Sequence, residues 1–191
     1  MEKIPSHVLL GAYSEGVFPM AENGELHWFS PVMRGVIPVD DGFHIPHGLK
    51  RNLKKSPYKV KMDVDFRAVI QGCSEREETW IDEVIQESYC ELHKLGFAHS
   101  VECYDDEGLQ GGLYGVALGR AFFGESMFSR KPDASKIALV RLVEWMRENH
   151  YTLLDTQWMT EHLRQFGGQE IPREEYLHLL TEALADMATG Y

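Results

Sequence analysis

The spacing of hydrophobic positions predicts helices over much of the chain. Asp133 is a residue type that caps helix N-termini, and apolar residues recur on one face of the segment that follows, over residues 134–149. A helix over 80–95 is predicted to end at Gly96, a residue that suits a C-terminal cap. Further helices are predicted over residues 7–14, 49–55, 65–71, 158–165 and 173–185.

Short runs of apolar and β-branched residues predict strands. These runs cover residues 36–39, 58–62, 100–104, 109–118, 121–123 and 152–156. Three consecutive runs are separated only by turn residues, at 105–108 and 119–120, which predicts an antiparallel meander. The chain around Phe18-Pro19 and Ser30-Pro31 is predicted to form turns. A meander followed by a helix and a further strand indicates an α+β domain with a mixed sheet.

Composition is that of a globular protein. Of the 191 residues, 43% are hydrophobic and 26% charged, so disordered and fibrous classes are excluded. We expect a soluble cytoplasmic protein, because no run approaches the roughly 18 apolar residues of a membrane span and the start lacks a signal-peptide pattern. Cys73, Cys90 and Cys103 form no Cys-x-x-Cys pair, so we expect buried thiols.

Charge is distributed unevenly. The net charge is −11, which alone argues against a nucleic-acid partner. Residues 44–61, however, carry six cations and no acid, which leaves 13 cations against 30 acids elsewhere. Arg51, Lys54 and Lys55 share the outward face of a predicted helix. A solvated face is one interpretation; the contrast with the acidic remainder favours contact with phosphates.

Polar residues at predicted strand ends are candidates for chemistry. Asp155 and Gln157 are two residues apart on a strand, so they point to the same side and can act on one ligand atom. Alternatively, Asp155 ends the strand and hydrogen-bonds to the backbone of the next helix. Glu125 also lies near a strand end, where it either serves a site or pairs with Arg130.

Several common types of site are not predicted. The pairs His44/His47 and His93/His99 have no carboxylate or thiol at a spacing that completes a metal site. No Walker A, G-x-G-x-x-G or G-x-S-x-G run occurs. We therefore expect no metal and no cofactor.

Longer motifs occur in one order along nearly the whole chain. They include Gly16-Val17-Phe18-Pro19-Met20, Trp28-Phe29-Ser30-Pro31, Gly111-Gly112-Leu113-Tyr114-Gly115, Gly124-Glu125-Ser126-Met127-Phe128-Ser129-Arg130, Ala134-Ser135-Lys136 and Asp155-Thr156-Gln157. In these motifs the sequence closely resembles the leucyl/phenylalanyl-tRNA–protein transferases. That family moves leucine or phenylalanine from its tRNA to the N-terminus of proteins that begin with Arg or Lys, and so marks them for degradation.

The resemblance implies an architecture. We expect a short N-terminal lobe with the basic helix over residues 1–60 and an acetyltransferase-like catalytic domain over 61–191, with a mixed sheet flanked by helices. Family members often have a lead-in before the first helix, whereas this sequence starts almost at that helix. We therefore expect the small lobe that the lead-in forms to be largely missing. Met20 stands where many members have Trp.

The resemblance also implies roles for individual residues. Gln157 orients the attacking α-amine through its carbonyl oxygen, Asp155 stabilises that arrangement, and Glu125 meets the cationic N-terminal residue of the acceptor. An apolar slot for the Leu, Phe or Met side chain is formed by Leu113, Phe122, Leu139, Leu142, Met146 and Leu154. The tRNA is contacted by Trp80 and Met20 at its terminal adenine and by Arg51, Lys54 and Lys55 at its phosphates. We expect a monomer that needs no cofactor.

Two alternatives remain open on the sequence alone. An acetyl-CoA-dependent N-acetyltransferase shares the expected fold, but its Q/R-x-x-G-x-G/A run is not found before the helix at Ala134. A non-catalytic module that binds tRNA or peptide is the other alternative, and Asp155, Gln157 and Glu125 argue against it.

Overall fold

The structure is a computed structural model that describes residues 3–55, 57–75 and 79–185. Its elements, in chain order, are α1 (Ser6–Ser14), β1 (Phe18–Glu22), β2 (Glu25–Phe29), β3 (Met33–Ile37), α2 (His47–Lys55), β4 (Lys59–Met62), α3 (Phe66–Ser74), α4 (Glu83–Lys94), β5 (Ala98–Asp105), β6 (Gly108–Leu118), β7 (Ala121–Ser129), α5 (Ala134–Glu148), β8 (Leu153–Gln157), α6 (Glu161–Arg164), β9 (Gln169–Pro172) and α7 (Arg173–Leu184).

A mixed sheet organises the fold. Within the described residues its seven strands follow the order β4-β5-β6-β7-β8-β3-β9, and β1 and β2 form a separate hairpin. The β7–β8 pair is parallel, whereas the other neighbours in the sheet are antiparallel. The predicted α+β fold with a mixed sheet flanked by helices is confirmed.

Two hydrophobic cores cover the two faces of the sheet. One core includes buried residues of α1, α3, α4 and α7, such as Leu9 and Ile85. The other core includes α5 and α2, with Leu142 and Leu49 among its members. The residues of β6 alternate between them, because successive strand side chains point to opposite faces. All three cysteines are buried, as predicted.

Helix starts depend on caps that the sequence predicts only in part. Asp65 accepts a hydrogen bond from the Ala68 backbone N–H at 3.0 Å, and Asp82 caps α4 in the same way. Asp133 occupies the predicted N-cap position of α5, which begins at Ala134, but its side chain makes no capping hydrogen bond. Its carboxylate instead accepts from the Asn52 amide at 2.6 Å and pairs with Lys136, so it ties α2 to α5.

Three strands lie where the sequence predicted none. β1 and β2 form a hairpin in the region predicted as turns, and Pro19 lies within β1 opposite Trp28. Proline is tolerated there because the unit has two strands and each keeps a free edge. β9 has four residues and exists through its pairing with β3. The predicted helix over 158–165 shortens to α6, because β8 continues to Gln157.

Elements from the first 60 residues are integrated with the main sheet. β3 lies between β8 and β9, and α2 packs against α5. The division at residue 60 stays a prediction, and residues 1, 2 and 186–191, which it assigns to the two parts, lie outside the described chain.

Candidate active site

The strands β7 and β8 diverge and open a site between them. Their parallel pairing covers only three residues on each strand and ends at Phe123 and Asp155, although β7 continues to Ser129. Just beyond this point, β7 bulges against β6: Tyr114 pairs with Ser126 and Gly115 with Gly124. Glu125 is therefore an extra residue on β7, and a bulge of this kind re-aims a side chain.

A cavity of about 220 Å³ occupies this opening, and Glu125 and Trp80 are among its lining residues. Its apolar lining includes Leu163 and Met127, together with four leucines from β6, α5 and β8, which are Leu113, Leu139, Leu142 and Leu154. All four belong to the set predicted for the aminoacyl side chain. Phe122 and Met146, predicted for the same slot, are fully buried in the same core and do not line the cavity.

The polar wall is centred on the Glu125 carboxylate. Tyr13 donates a hydrogen bond to Glu125 Oε1 at 2.6 Å, and the side-chain amide of Gln157 donates to the same oxygen at 3.1 Å. Tyr89 lies 3.4 Å from Oε2 and its hydroxyl contacts that of Tyr13. Arg130, the alternative partner of Glu125, instead pairs with Glu75 at 3.0 Å. The hydrogen bonds that this carboxylate accepts from the described residues therefore come from neutral groups.

Burial controls the ionisation of this wall. Burial raises the pKa of Glu125 to about 7, although the hydrogen bonds from Tyr13 and Gln157 oppose the shift. Burial also raises the pKa values of Tyr13 and Tyr89, and the Glu125 charge adds to that effect. The phenols stay neutral, whereas Glu125 exchanges its proton close to neutral pH.

Asp155 is engaged on both carboxylate oxygens. Oδ1 accepts from Arg34 Nε at 2.9 Å and from the Gln157 backbone N–H at 2.7 Å. Oδ2 accepts from Arg34 Nη2 at 2.6 Å and from the Tyr176 hydroxyl at 2.8 Å. Asp155 is 0% exposed and does not line the cavity. The alternative in which Asp155 bonds to the backbone of the next helix is wrong, because its backbone partner, Gln157, is the last residue of β8 and Thr160 caps α6.

Asp155 and Gln157 thus have separate partners. The carboxylate of Asp155 meets Arg34 and Tyr176, while the amide of Gln157 meets Glu125 on β7. A bulge between β3 and β8 contributes, since Gly35 pairs with Gln157 and Val36 with Asp155. The Gly35 position is crowded: a Cβ there would lie 2.8 Å from the backbone of Trp158. Only glycine allows the two strands to approach so closely.

The residues predicted for tRNA lie in two places. Trp80 lines the cavity, and its carbonyl accepts from the Ala21 backbone N–H at 3.2 Å, which places it beside β1, the strand that carries Met20. Arg51, Lys54 and Lys55 are exposed on α2. Trp80 and Met20 therefore lie near the cavity, and the three cations lie on a separate surface.

Three tyrosines at the site were not predicted from the sequence. Tyr13, Tyr89 and Tyr176 come from three helices, and all three are fully buried. Their partners are 21 to 112 residues away along the chain, so no local pattern identifies them. Arg34 offered a signal, because a cation within the apolar strand β3 needs a buried counter-charge.

Neither metal ligands nor membrane spans are evident. Among residues 3–55, 57–75 and 79–185, no three His, Cys, Asp or Glu side chains are grouped so that they could hold a metal ion. No helix in that part of the chain is both long and apolar enough to cross a membrane.

Known proteins match the chain along almost its full length. The family model for leucyl/phenylalanyl-tRNA protein transferase matches residues 36–181, and the model for the N-terminal domain of that family matches residues 4–32. The second match covers α1 and the β1–β2 hairpin, and the expectation about a lead-in before α1 stays a prediction.

Relatives named leucyl/phenylalanyl-tRNA–protein transferase include a protein of Akkermansia muciniphila, 55% identical over 97% of this chain and 98% of that protein. Proteins of Herpetosiphon aurantiacus and Paramagnetospirillum magneticum are 46% and 49% identical, each over 98% of this chain and over 98% and 93% of their own lengths.

A solved structure, that of L-PGS from Bacillus licheniformis, shares the fold with a TM-score of 0.51 at 12% identity, over 88% of this chain and 66% of that one. This similarity concerns the fold alone, and it agrees with the mixed sheet flanked by helices that the resemblance implies. The sequence matches decide between the functional alternatives, because the relatives are transferases that use aminoacyl-tRNA. The chain therefore belongs to the leucyl/phenylalanyl-tRNA–protein transferase family, and it is an acyltransferase that moves an aminoacyl group from tRNA to protein N-termini.

Proposed function

We propose that the donors are leucyl- and phenylalanyl-tRNA, with methionyl-tRNA as a further donor, and that the acceptors are proteins that begin with Arg or Lys. One observation carries this proposal: a single cavity joins a leucine-rich wall to a polar wall at Glu125, which accepts a hydrogen bond from the Gln157 amide. The first wall suits an apolar side chain, and the second suits an amine.

The leucine wall accounts for the choice of donor. Burying a Leu or Phe side chain there is worth about 1.5 to 3 kcal/mol. Leu113, Leu139, Leu142 and Leu154 are each nearly inaccessible to solvent, so the wall belongs to a packed core and holds its shape. Val and Ile branch at Cβ, next to the ester, and shape alone discriminates against them by a few kcal/mol at most, on the order of 1 to 3.

The tRNA end of the donor lies beside Trp80 in this proposal. Stacking of the terminal adenine on Trp80 is worth about 1 to 3 kcal/mol. Met20, on the adjacent strand, packs on the base through its thioether. The exposed Arg51, Lys54 and Lys55 of α2 contact phosphates of the tRNA body, since they lie outside the cavity.

The reaction needs alignment more than activation. An aminoacyl ester is already activated, and an N-terminal amine has an ordinary pKa of about 7.7 to 8.0, so positioning supplies most of the rate. Because the amide nitrogen of Gln157 is bound to Glu125, its carbonyl oxygen is the group that orients the attacking amine. Asp155 accepts four hydrogen bonds and is not the general base; it stabilises the position of Gln157.

Glu125 accounts for the choice of acceptor. It is a titratable group in the cavity wall, and a cationic N-terminal residue favours its ionised form. Outside residues 44–61 the chain carries 30 acids and 13 cations, which attracts such acceptors over a longer range.

The surroundings of the enzyme follow from its substrates. Aminoacyl-tRNA is a cytoplasmic substrate, and we place the reaction there. The cavity is built by elements of one chain, so a monomer suffices, and light scattering of the purified protein tests that state.

A transfer assay tests the proposed function directly. Radiolabelled Leu-, Phe-, Met- and Val-tRNA are incubated with reporter proteins that differ only in their first residue, which is Arg, Lys or Ala. We expect label from Leu- and Phe-tRNA on the Arg and Lys reporters, with Val-tRNA and the Ala reporter far behind. Equal labelling of the Ala reporter would contradict the acceptor assignment, and equal use of Val-tRNA would contradict the donor assignment.

A variant separates acceptor binding from the general architecture. Glu125→Gln keeps the shape of the side chain and removes its charge. The KM for the Arg reporter should rise by about tenfold, the scale of one charge-assisted hydrogen bond, while residual transfer to the Ala reporter changes little. If transfer to both reporters falls equally, Glu125 instead holds the site together through Tyr13 and Gln157.

A further inference from the structure

The backbone of Gln157 adopts an unusual conformation. Its φ is +64°, in the left-handed region that L side chains rarely adopt. Such a conformation persists only where the surrounding contacts hold it. Because Gln157 also bonds to Glu125 in the cavity wall, the contacts that fix its backbone also fix the site.

One contact fixes that backbone directly. The Gln157 N–H donates to Asp155 Oδ1 at 2.7 Å, two residues back along the strand. The same carboxylate accepts two hydrogen bonds from Arg34 on β3, at 2.9 and 2.6 Å. It accepts another from the Tyr176 hydroxyl on α7, at 2.8 Å. The position of Gln157 is therefore linked to two elements that are distant in sequence.

Arg34 and Tyr176 do not reach the substrate themselves. Arg34 is 1% exposed, Tyr176 is 0% exposed, and neither lines the cavity. The Arg34 guanidinium lies 4.4 Å from the centre of the Tyr176 ring and donates a further hydrogen bond to the Gly16 carbonyl at 2.9 Å. Both side chains are thus held in place and turned toward Asp155.

We propose that Arg34 and Tyr176 are positioning residues for aminoacyl transfer, which act through Asp155 to hold Gln157 in its left-handed conformation. Arg34 supplies two of the four hydrogen bonds on that carboxylate and Tyr176 supplies one. The proposal rests on the role given above to Gln157. A purely structural role for the same contacts predicts a loss of stability without a specific loss of kcat.

The first experiment replaces Tyr176 by Phe, which removes one hydroxyl and keeps the ring over Arg34. We expect kcat for Phe transfer to the Arg reporter to fall roughly tenfold, because a hydrogen bond to a charged group is lost. The KM values for aminoacyl-tRNA and for the acceptor should change less than about twofold, since neither substrate touches Tyr176.

A matched control lies one turn along the same helix. Leu180 is 1% exposed in the core, and Leu180→Ala lowers the stability of α7 without removing a hydrogen bond from Asp155. This variant should keep the wild-type kcat at a temperature where it remains folded. If Tyr176→Phe and Leu180→Ala have equal kcat values, Tyr176 is only structural and the proposal is overturned.

A second experiment tests the route of action. In a Gln157→Ala background, Tyr176→Phe should lower the residual kcat less than about twofold, because the residue through which it acts is already gone. An undiminished tenfold loss in that background would overturn the proposal. Absence of transfer by the wild-type enzyme would instead contradict the proposed function, so the two failures are distinguishable.

Discussion

Charged residues in this enzyme occupy two opposite environments. On α2, Arg51, Lys54 and Lys55 are exposed to solvent. Between β3 and β8, the ion pair of Arg34 and Asp155 is buried: Arg34 is 1% exposed and Asp155 is 0% exposed. Charges in water are screened and interact weakly, whereas charges in a protein interior depend strongly on one another.

The difference predicts how the two regions respond to substitution. Exposed cations that contact phosphates separately should contribute additively. The buried group, which joins Arg34, Asp155, Tyr176 and Gln157 by hydrogen bonds, should respond as a unit. Substitution of any one buried residue should therefore affect the whole group. Substitution of each exposed cation should weaken tRNA binding by a further step.

The largest expected effect is on the buried ion pair. Asp155→Ala leaves the Arg34 guanidinium buried without a counter-charge, which should cost about 3 to 5 kcal/mol of unfolding free energy. Urea denaturation measures this loss. Glu170→Ala is the matched control, because Glu170 pairs with Arg164 at 2.6 Å on the surface, and its loss should cost less than about 1 kcal/mol. Similar losses in both variants would contradict the distinction between the two environments.

A second effect concerns pH. Glu125 has a pKa of about 7 in the folded protein and a lower, ordinary value in the unfolded chain, so folding favours its protonated form. Its stabilising contribution is complete below the unfolded pKa and is lost as the pH rises through about 7. The loss should be on the order of 3 kcal/mol.

Glu125→Gln isolates this contribution. The wild type and the variant share every other titrating group, so the difference between their unfolding free energies reports Glu125 alone. That difference should fall as the pH rises from about 4 to about 8. A difference that stays constant over this range would mean that folding does not shift the pKa of this carboxyl.

The third effect is on the rate. Gln157→Ala removes the amide that aligns the amine, and single-turnover transfer should slow by about 100-fold, a typical value for loss of one aligned catalytic group. Binding of aminoacyl-tRNA, measured by filter retention, should stay within about twofold, because the groups proposed to hold the tRNA, Trp80 and the cations of α2, are unchanged. Loss of binding and rate together would assign Gln157 to tRNA recognition instead.

The sequence predicts the apolar and exposed parts of the molecule better than the buried polar part. The face of α5 with Leu139 and Leu142 follows from helical spacing, and the exposed cations of α2 follow from charge. Both patterns are local. The β1–β2 hairpin was missed because Pro19 indicated a turn, and β9 was missed because four residues form a strand only through pairing with β3.

The candidate site shows the same limit. Glu125, Asp155 and Gln157 are identifiable because they are polar residues near predicted strand ends, although β7 continues to Ser129 and Glu125 lies at a bulge within it. Their partners are not: the Tyr13–Glu125 bond spans 112 residues and the Arg34–Asp155 bond spans 121. Bulges in β7 and β8 also turn the side chains from the positions that strict alternation predicts. Only the structure shows that both carboxylate oxygens of Asp155 already accept hydrogen bonds.

The smallest expected effects lie on α2, and they complete the comparison. Arg51→Ala, Lys54→Ala and Lys55→Ala should each weaken tRNA binding about fivefold at 0.15 M salt, alike for every donor, because phosphate contacts carry no sequence information. Each should also lower the slope of log K against log salt by about 0.7 to 0.9, and the three effects should add in the triple variant. Unfolding free energies should stay within about 0.5 kcal/mol of wild type. An unchanged slope in the triple variant would show that this surface is only a solvated helix face, and the contrast with the buried ion pair would then concern stability alone.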